Sequence, residues 1–269
     1  MIVIVGDTHD DVLYFETVLA NKKEEIILNR YKVYTGTIFS QNVLVIRDMA
    51  TSLLTSSVLT HILDNYFVDL VIGVGKCLSV SEELKHGNIA LSSNVIDVNV
   101  DLSIFKDVGM AQIPGFSREF LVQDDIYGYV AENLGKRAAI DFYKASFLST
   151  DNLSKDMVNY LKEHKTIFAK NDESFVVDHN SSGIALACAL KNVPFIVVKV
   201  IASGFNQEQN LKTYSSVLSR YIDLGKSVIQ TINNIGRSDI LEGEWWWKRK
   251  NKEVWLNHIP STQDYQQLF

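Results

Sequence analysis

Hydrophobic positions in this chain fall in short runs that alternate with stretches of helical periodicity. Short apolar runs bounded by turn-forming residues are typical of buried strands, and they occupy positions 2–5, 43–46, 70–74, 89–91, 95–100, 139–148, 174–177 and 195–201. Apolar residues at helical spacing occur over 52–65, 124–134, 154–163, 182–190 and 211–235. Strands that are apolar throughout and alternate with helices indicate a mainly parallel sheet covered on both faces. We therefore predict an α/β fold.

Polar residues punctuate this pattern at three informative places. Gly135 follows the second helical stretch as a C-cap, and Ser154 precedes the third as an N-cap. The polar stretch 7–11 follows the first apolar run and contains the acidic pair Asp10-Asp11. We interpret this stretch as a loop, whose acidic pair is either solvated or part of a site.

Composition favours one compact domain. The chain has 269 residues, of which 46% are hydrophobic and 22% charged, so it can bury a sizeable core. It contains 14 Gly and 3 Pro, too few for a Pro/Gly-rich linker. We expect a domain over 1–235.

The composition changes over 236–269, which we predict to be a C-terminal aromatic-basic extension. Trp245-Trp246-Trp247 is followed by Lys248-Arg249-Lys250, with Trp255 close behind. We expect this extension to pack on the domain or on a neighbouring subunit, with the cations reaching solvent. The alternative is a surface for membrane headgroups or for nucleic-acid stacking.

Charge and cysteine content narrow the function classes. A net charge of −6 argues against a general nucleic-acid binder, which needs clustered cations. No apolar run reaches the about 18–20 residues needed to span a bilayer, and the first residues lack the basic segment of a secretory signal. Cys77 and Cys188 have no ligand-spaced partners, so we expect reduced thiols, no metal site and a cytoplasmic location.

Several motifs occur along the chain in a characteristic order. They are the strand and glycine turn Val68–Val80 with Gly87-Asn88-Ile89, then Gln112-Ile113-Pro114-Gly115, Ser149-Thr150-Asp151, Val177–Ser181 and Asn192–Lys199. In this order they resemble the nucleoside phosphorylase/nucleosidase superfamily, and within it the methylthioadenosine/S-adenosylhomocysteine nucleosidases. The resemblance implies a three-layer α-β-α fold around a central mixed, mostly parallel sheet. It also implies hydrolysis of the N-glycosidic bond of a purine nucleoside, without a cofactor, by a homo-oligomer that is expected to be a dimer.

The resemblance assigns three catalytic positions. Asp11 matches the acidic residue that positions the attacking water in the nucleosidases. Ser203 stands where the family has the carboxylic acid that protonates the purine, and a hydroxyl can only donate a hydrogen bond there. Asn180 stands where the family has the glutamate that grips the ribose hydroxyls, although Asn180 could also simply cap the helix that follows it.

The remaining pocket positions implied by the resemblance depart from the family pattern in several places. Leu78 replaces a glycine and narrows the space over the sugar, Leu153 replaces an aromatic purine shelf, and Lys199 replaces an arginine. His179 replaces a methionine and is the alternative proton donor. The full set of substrate-binding candidates is Lys76, Cys77, Leu78, Leu153, Val177, Asp178, His179, Lys199 and Phe105, the last on a lid over 102–116 that closes the neighbouring subunit's pocket.

Three functions stay open at this point. The first is a purine nucleosidase with water as the nucleophile. The second is a catalytically impaired relative that binds a nucleoside or acts as an interaction scaffold, because Ser203 and Asn180 lack the family's acids. The third is a nucleoside phosphorylase that uses Arg47 or Arg118, since the phosphorylase arginine position falls on Gly73.

Overall fold

The structure, a computed structural model, describes residues 1–102, 104, 109–135, 141–164, 167–168, 174–203 and 211–235. The strands are β1 Ile2–Gly6, β2 Ala20–Ile27, β3 Tyr31–Ile38, β4 Gln41–Ile46, β5 Leu70–Ser79, β6 Ile89–Asp97, β7 Glu119–Leu121, β8 Phe142–Ser149, β9 Ser174–Asp178 and β10 Phe195–Ser203. The helices are α1 His9–Val18, α2 Ser52–Asn65, α3 Asp124–Gly135, α4 Lys155–His164, α5 Ser181–Lys191 and α6 Leu211–Ile235. The predicted extension 236–269 and Phe105 lie outside the described residues.

One mixed sheet of ten strands organises the described part of the chain. Its centre is parallel, with β4, β1, β5 and β10 side by side. The β2–β3–β4 meander continues one side antiparallel. On the other side β10 pairs with β6, β6 with β8, β8 with β9, and β9 returns to β5, so these five strands close into a ring.

Helices cover both faces of the sheet, as the alternating pattern predicts. On one face α2 packs against α5, and on the other α6 packs against α1 and α3. The β1 strand and the first half of β5 are buried at every position, which explains why both are apolar throughout. The carboxyl ends of β1 and β9 lie beside the middle of β10 inside the molecule, close to the N-termini of α1 and α5.

Helix prediction succeeds where the apolar periodicity is strong. Helices α2 and α6 have the predicted bounds, and Ser154 caps α4 by accepting a hydrogen bond from the Met157 amide. The predicted runs 89–91 and 95–100 form the single strand β6, and the run 70–74 continues as β5 to Ser79. The first positions of the predicted run 139–148 lie outside the described residues, and β8 begins at Phe142.

Four elements have no counterpart among the predicted runs, namely α1, β2, β3 and β7. The prediction of a loop over 7–11 is wrong from His9 onward, because α1 begins at His9. The acidic residues Asp11 and Glu16 of this helix are buried. Strand β2 was not predicted, because it lies at the sheet edge and only Ile27 of its eight residues is buried. Within the described ranges, no helix is both long and apolar enough to cross a membrane.

Candidate functional site

A fully buried lysine is the centre of the candidate site. Lys199 lies in β10, and its Nζ donates to Asp178 Oδ2 at 2.6 Å, to Asn180 Oδ1 at 2.7 Å and to Asp7 Oδ1 at 2.9 Å. All four side chains are nearly inaccessible to solvent. The Lys199 position within an otherwise apolar strand therefore marks an internal charge network, formed where the ends of β1 and β9 lie beside the middle of β10.

The Asn180 side chain is used entirely within this network. Its amide nitrogen donates to Asp7 Oδ1 at 2.6 Å and to the Met49 carbonyl at 2.8 Å, while its oxygen accepts from Lys199. Asn180 occupies the N-cap position of α5, but its side chain makes no capping hydrogen bond. The capping role that the sequence left open is therefore not the one observed.

Asp7 is the main site residue that sequence reasoning missed. Its carboxylate accepts from Lys199 with both oxygens, from Asn180, and from the Lys76 amide at 3.3 Å. A side chain at Gly75 would fill the same space, since a Cβ there would lie 2.3 Å from Asp7 Oδ2 and Gly75 has a φ of +156°. The available signal was the position of Asp7, directly after the buried strand β1 and Gly6.

Asp11 presents one oxygen for which the described residues provide no hydrogen-bond donor. Its Oδ2 accepts from the Thr8 amide at 2.8 Å and from the Thr8 hydroxyl at 2.7 Å, which fixes the carboxylate at the start of α1. Its Oδ1 is buried, has no hydrogen-bond partner within the described part of the chain, and lies 3.8 Å from Lys76 Nζ. A buried acceptor without a partner is costly, so this oxygen is suited to a bound water or ligand.

Three partly exposed side chains border this buried group. Lys76 and Leu78 are two residues apart on β5 and therefore share one face of the strand. His179 is 24% exposed, and its Nε2 lies 3.8 Å from Asp7 Oδ2. These side chains place the accessible side of the site at β5 and at the β9–α5 connection.

Cys77 faces away from Lys76 and Leu78. It is buried, and its Sγ lies 3.7 Å from the Val200 carbonyl. Burial raises the pKa of the Cys77 thiol well above its usual range, so the thiol stays protonated. The geometry thus assigns Cys77 to the packing behind the site.

The other predicted positions lie around the same strands. Val177 is buried in β9 and pairs with Leu78 of the adjacent strand β5. Ser203 ends β10 in register with Leu78, and its side chain is outside the described part of the structure. Leu153 is 38% exposed in the connection before α4, and no contact with the site is observed for it. Phe105 lies outside the described residues.

The Ser149-Thr150-Asp151 motif joins two helix N-termini beside the site. Ser149 Oγ accepts from the Ser182 amide at 3.0 Å, and Asp151 Oδ1 accepts from the Ser52 amide at 2.8 Å. The Thr150 amide donates to the Asp178 carbonyl at 2.8 Å. The motif therefore holds the N-termini of α2 and α5 in place. It also contacts the charge network, because the Asp178 that Thr150 binds is a partner of Lys199.

Burial and charge act in opposite directions on the lysine. Burial alone would lower the pKa of Lys199, but the carboxylates of Asp178 and Asp7 outweigh this effect, so its pKa is raised and it stays protonated. Burial raises the pKa of Asp7, with Lys199 and His179 opposing the shift and Asp11 and Asp178 adding to it. The site thus holds more buried acid than buried base.

The arginines considered for phosphate are engaged elsewhere. Arg47 pairs with Glu16 at 3.5 Å, and Arg118 donates to the Ile167 carbonyl. At Gly73 a Cβ would approach Ile184 Cδ1 to 2.7 Å, so a side chain at this position would require the Ile184 side chain to move. A search of the described residues finds no group of three or more His, Cys, Asp or Glu arranged to hold a metal.

Comparison with known proteins is consistent with this arrangement. A family model described as the phosphorylase superfamily matches residues 1–231. The 5'-methylthioadenosine/S-adenosylhomocysteine nucleosidase of Buchnera aphidicola subsp. Acyrthosiphon pisum (strain APS) is 30% identical over 205 residues, which cover 73% of this chain and 85% of that protein. The enzyme of the same name from Anoxybacillus flavithermus is 22% identical over 212 residues, or 78% of this chain and 88% of that protein.

Solved structures of similarly named proteins share the fold. The nucleosidase of Neisseria meningitidis in complex with methylthio-immucillin-A superposes with a TM-score of 0.77 at 14% identity, covering 87% of this chain and 98% of that chain. The nucleosidase of Colwellia psychrerythraea 34H in complex with adenine superposes with a TM-score of 0.74 at 19% identity, covering 86% and 93% of the two chains.

Proposed function

Because this chain belongs to the phosphorylase superfamily, we propose that it hydrolyses the N-glycosidic bond of a purine nucleoside of the methylthioadenosine/S-adenosylhomocysteine type. The relatives named above carry this activity in their names. The observation that carries the proposal is Asp11 Oδ1, a buried carboxylate oxygen without a hydrogen-bond partner, in a site bordered by Lys76 and His179.

In the proposed reaction Asp11 binds and activates the attacking water. Thr8 holds Oδ2 with two hydrogen bonds, so Oδ1 is the oxygen that can accept a proton from water. Lys76 Nζ, 3.8 Å away, can donate to the same water and orient its lone pair. A positioned base of this kind contributes about 10²–10⁴-fold to a rate.

The departing purine needs a hydrogen-bond or proton donor, for which the chain offers two candidates. Ser203 can donate a hydrogen bond but does not supply a proton near neutral pH. His179 is partly exposed beside the buried carboxylates, with its Nε2 3.8 Å from Asp7 Oδ2, and is the alternative donor. Asn180, whose amide is bonded inside the protein, is proposed to support the floor of the sugar site through Lys199.

Hydrolysis is favoured over phosphorolysis because Gly73 stands at the position of the phosphorylase arginine and because Arg47 and Arg118 have other partners. An enzyme that binds phosphate usually holds it with a bidentate arginine. Neither arginine lies among the partners of Lys199 or Asp11.

The activity test uses methylthioadenosine, adenosine and inosine, each with and without phosphate, and measures free base. Release without phosphate is the expected result. Release only with phosphate would point to a phosphorylase. No release, combined with a raised melting temperature in the presence of a nucleoside, would contradict the proposal and favour a catalytically impaired binding protein.

Asp11→Asn tests the water site directly. The variant keeps the size of the side chain but removes the base, so we expect hydrolysis to be abolished. The neighbouring exposed variant Asp10→Asn is the control and is expected to turn over normally. Unchanged turnover in Asp11→Asn would show that this carboxylate does not hold the water.

We also propose a homodimer in the cytoplasm. The resemblance implies that the lid 102–116 of one subunit closes the pocket of the other, and light scattering should then give a mass near twice 30.4 kDa. Both cysteines are free and buried, which is consistent with a reducing compartment, and cell fractionation tests this location.

A further inference from the structure

We propose that Asp7 supplies the buried negative charge that stabilises the ribosyl cation during glycosidic bond cleavage, and that it positions Lys199 and Asn180 below the sugar. The inference rests on the proposed nucleosidase function and extends it to a residue with no assigned role. It depends on three observations: the hydrogen bonds and open space around the Asp7 carboxylate, the balance of buried charges near it, and the hydrogen bond that joins it to Asn180.

The surroundings of Asp7 are arranged around its carboxylate. Both oxygens accept from Lys199 Nζ, at 2.9 and 3.0 Å, and the Lys76 amide donates to Oδ2. Gly75 lacks the Cβ that would occupy the same space. A carboxylate that accepts this many hydrogen bonds, in space that the absence of a Cβ at Gly75 leaves open, is held in one orientation. Its charge therefore acts from a fixed point.

Among the described residues of the site, the buried charges do not balance. The carboxylates of Asp7, Asp11 and Asp178 are all at most 3% exposed, whereas Lys199 is the cation that is buried among them. Lys76 and His179 lie on the accessible side, at 3.8 Å from Asp11 and Asp7 respectively. An excess of buried negative charge is unfavourable unless a cation completes it, and a cationic ligand is attracted to such a site.

The chemistry of the proposed reaction creates such a cation. When the C–N bond breaks, its electron pair leaves with the purine, which takes up a proton or hydrogen bond, and the ribosyl group becomes positively charged. Water then adds to this carbon and gives its proton to Asp11. Asp7 is unchanged throughout, and its charge lowers the energy of the cationic state more than that of the neutral nucleoside, so it accelerates the chemical step.

The hydrogen bond between Asp7 and Asn180 permits an isosteric test. Asp7→Asn removes the charge and keeps the shape, and the double variant Asp7→Asn/Asn180→Asp moves the charge across this 2.6 Å hydrogen bond. The single variant is expected to lose on the order of 10²-fold in kcat with little change in KM. The double variant should regain at least about tenfold of this, but not all, because a carboxylate at position 180 cannot donate to the Met49 carbonyl.

Asp64→Asn, which removes an exposed carboxylate paired with Lys191, is the matched control and should leave kcat unchanged. A folded Asp7→Asn variant with kcat within about threefold of the parent would overturn the inference while leaving the nucleosidase function intact. If Asp7→Asn does not fold, the double variant decides: retained activity supports the inference, and a folded but inactive double variant overturns it.

Ligand binding separates this inference from the proposed function. Calorimetry compares a protonated pyrrolidine analogue of the ribosyl cation with the corresponding neutral nucleoside. The parent protein should prefer the cation, and Asp7→Asn should reduce that preference by on the order of tenfold or more. This comparison holds even if the parent releases no base, which would refute the nucleosidase function alone. An equal preference in parent and variant would refute the role of Asp7.

Discussion

At the scale of single residues, Lys199 shows how a buried charge is maintained. Lys199 lies in an otherwise apolar strand. Its ammonium group binds Asp7, Asp178 and Asn180 in place of the water that would solvate an exposed lysine. A lysine of this kind depends on its carboxylates as much as they depend on it, because removal of either side leaves an unpaired buried charge. The sequence marked Lys199 as unusual, but its partner Asp7 lies 192 residues earlier in the chain, and only folding brings the two together.

Lys199→Met should therefore lower the free energy of unfolding by about 3–5 kcal/mol, measured by urea denaturation. Without the ammonium group, burial raises the pKa of Asp7 further above its unfolded value of 3.8. A raised carboxyl pKa gives stability that is present below the unfolded pKa and is lost as the pH rises through the folded pKa.

The variant should consequently lose stability, relative to the parent, as the pH rises above about 4. Lys191→Met, which breaks a surface pair with Asp64, is the matched control and should cost at most about 1 kcal/mol. Equal stability of the two variants would contradict the account of Lys199.

At the scale of secondary structure, the crossing of α2 and α5 sets the position of the site. The small residues of α5 predict a close approach to the sheet, and the structure shows that Gly183 also lies directly against the α2 backbone. The residues just before Gly183 include Asn180 in the charge network and Ser182, which donates to Ser52 in α2 at 2.7 Å. The distance between the two helices is therefore coupled to the geometry of the site.

Gly183→Ala should destabilise the protein and reduce its activity. A Cβ at this position would lie 2.2 Å from the Ser52 carbonyl oxygen, which is backbone and cannot move without shifting α2. We expect a loss of about 1–3 kcal/mol in unfolding free energy.

Gly128→Ala, on the exposed side of α3 with no atom within 4 Å of the new Cβ, is the control. It should stabilise the protein by about 0.5–1 kcal/mol, since alanine favours a helix interior over glycine. A neutral result for Gly183→Ala in thermal unfolding would show that the helices can separate freely.

At the scale of the whole molecule, strands from the first, middle and last thirds of the chain lie side by side. Strand β5 pairs with β1 on one side and with β10 on the other, and β10 also pairs with β6. The core and the site consequently form only after almost the entire described chain is in place. This arrangement favours a single cooperative unfolding transition.

Truncation tests this topology together with the predicted domain boundary. A chain ending after Pro194 would expose the edges of β5 and β6 that β10 covers, and it should be insoluble or lack a cooperative transition by circular dichroism. A chain ending after Ile235 should keep a cooperative transition, since 1–235 is the predicted domain. A folded product from the shorter chain would contradict the role given to β10, and an unfolded longer chain would contradict the boundary.

The secondary-structure elements that could be predicted from the sequence are those with a strong local pattern of hydrophobic residues. The bounds of α2 and α6 came directly from apolar spacing, whereas β2 has almost no buried face and α1 begins with polar residues that its fold buries. The matched motifs pointed to Asp11, Asn180 and Lys199, but they left Asp7 unnoticed, because a polar residue after a strand is usually solvated.

By itself, the sequence determined the three-layer α/β architecture and the family, since buried strands and amphipathic helices leave periodic patterns and the family motifs occur in order. Only the tertiary structure decided which charges are buried together. Asp7 follows β1, Asp178 ends β9 and Lys199 lies in the middle of β10, so their hydrogen bonds depend on sheet register and on the space beside Gly75. Local sequence carries no record of such long-range electrostatics, because the energy of a buried charge is set by whatever folding brings next to it.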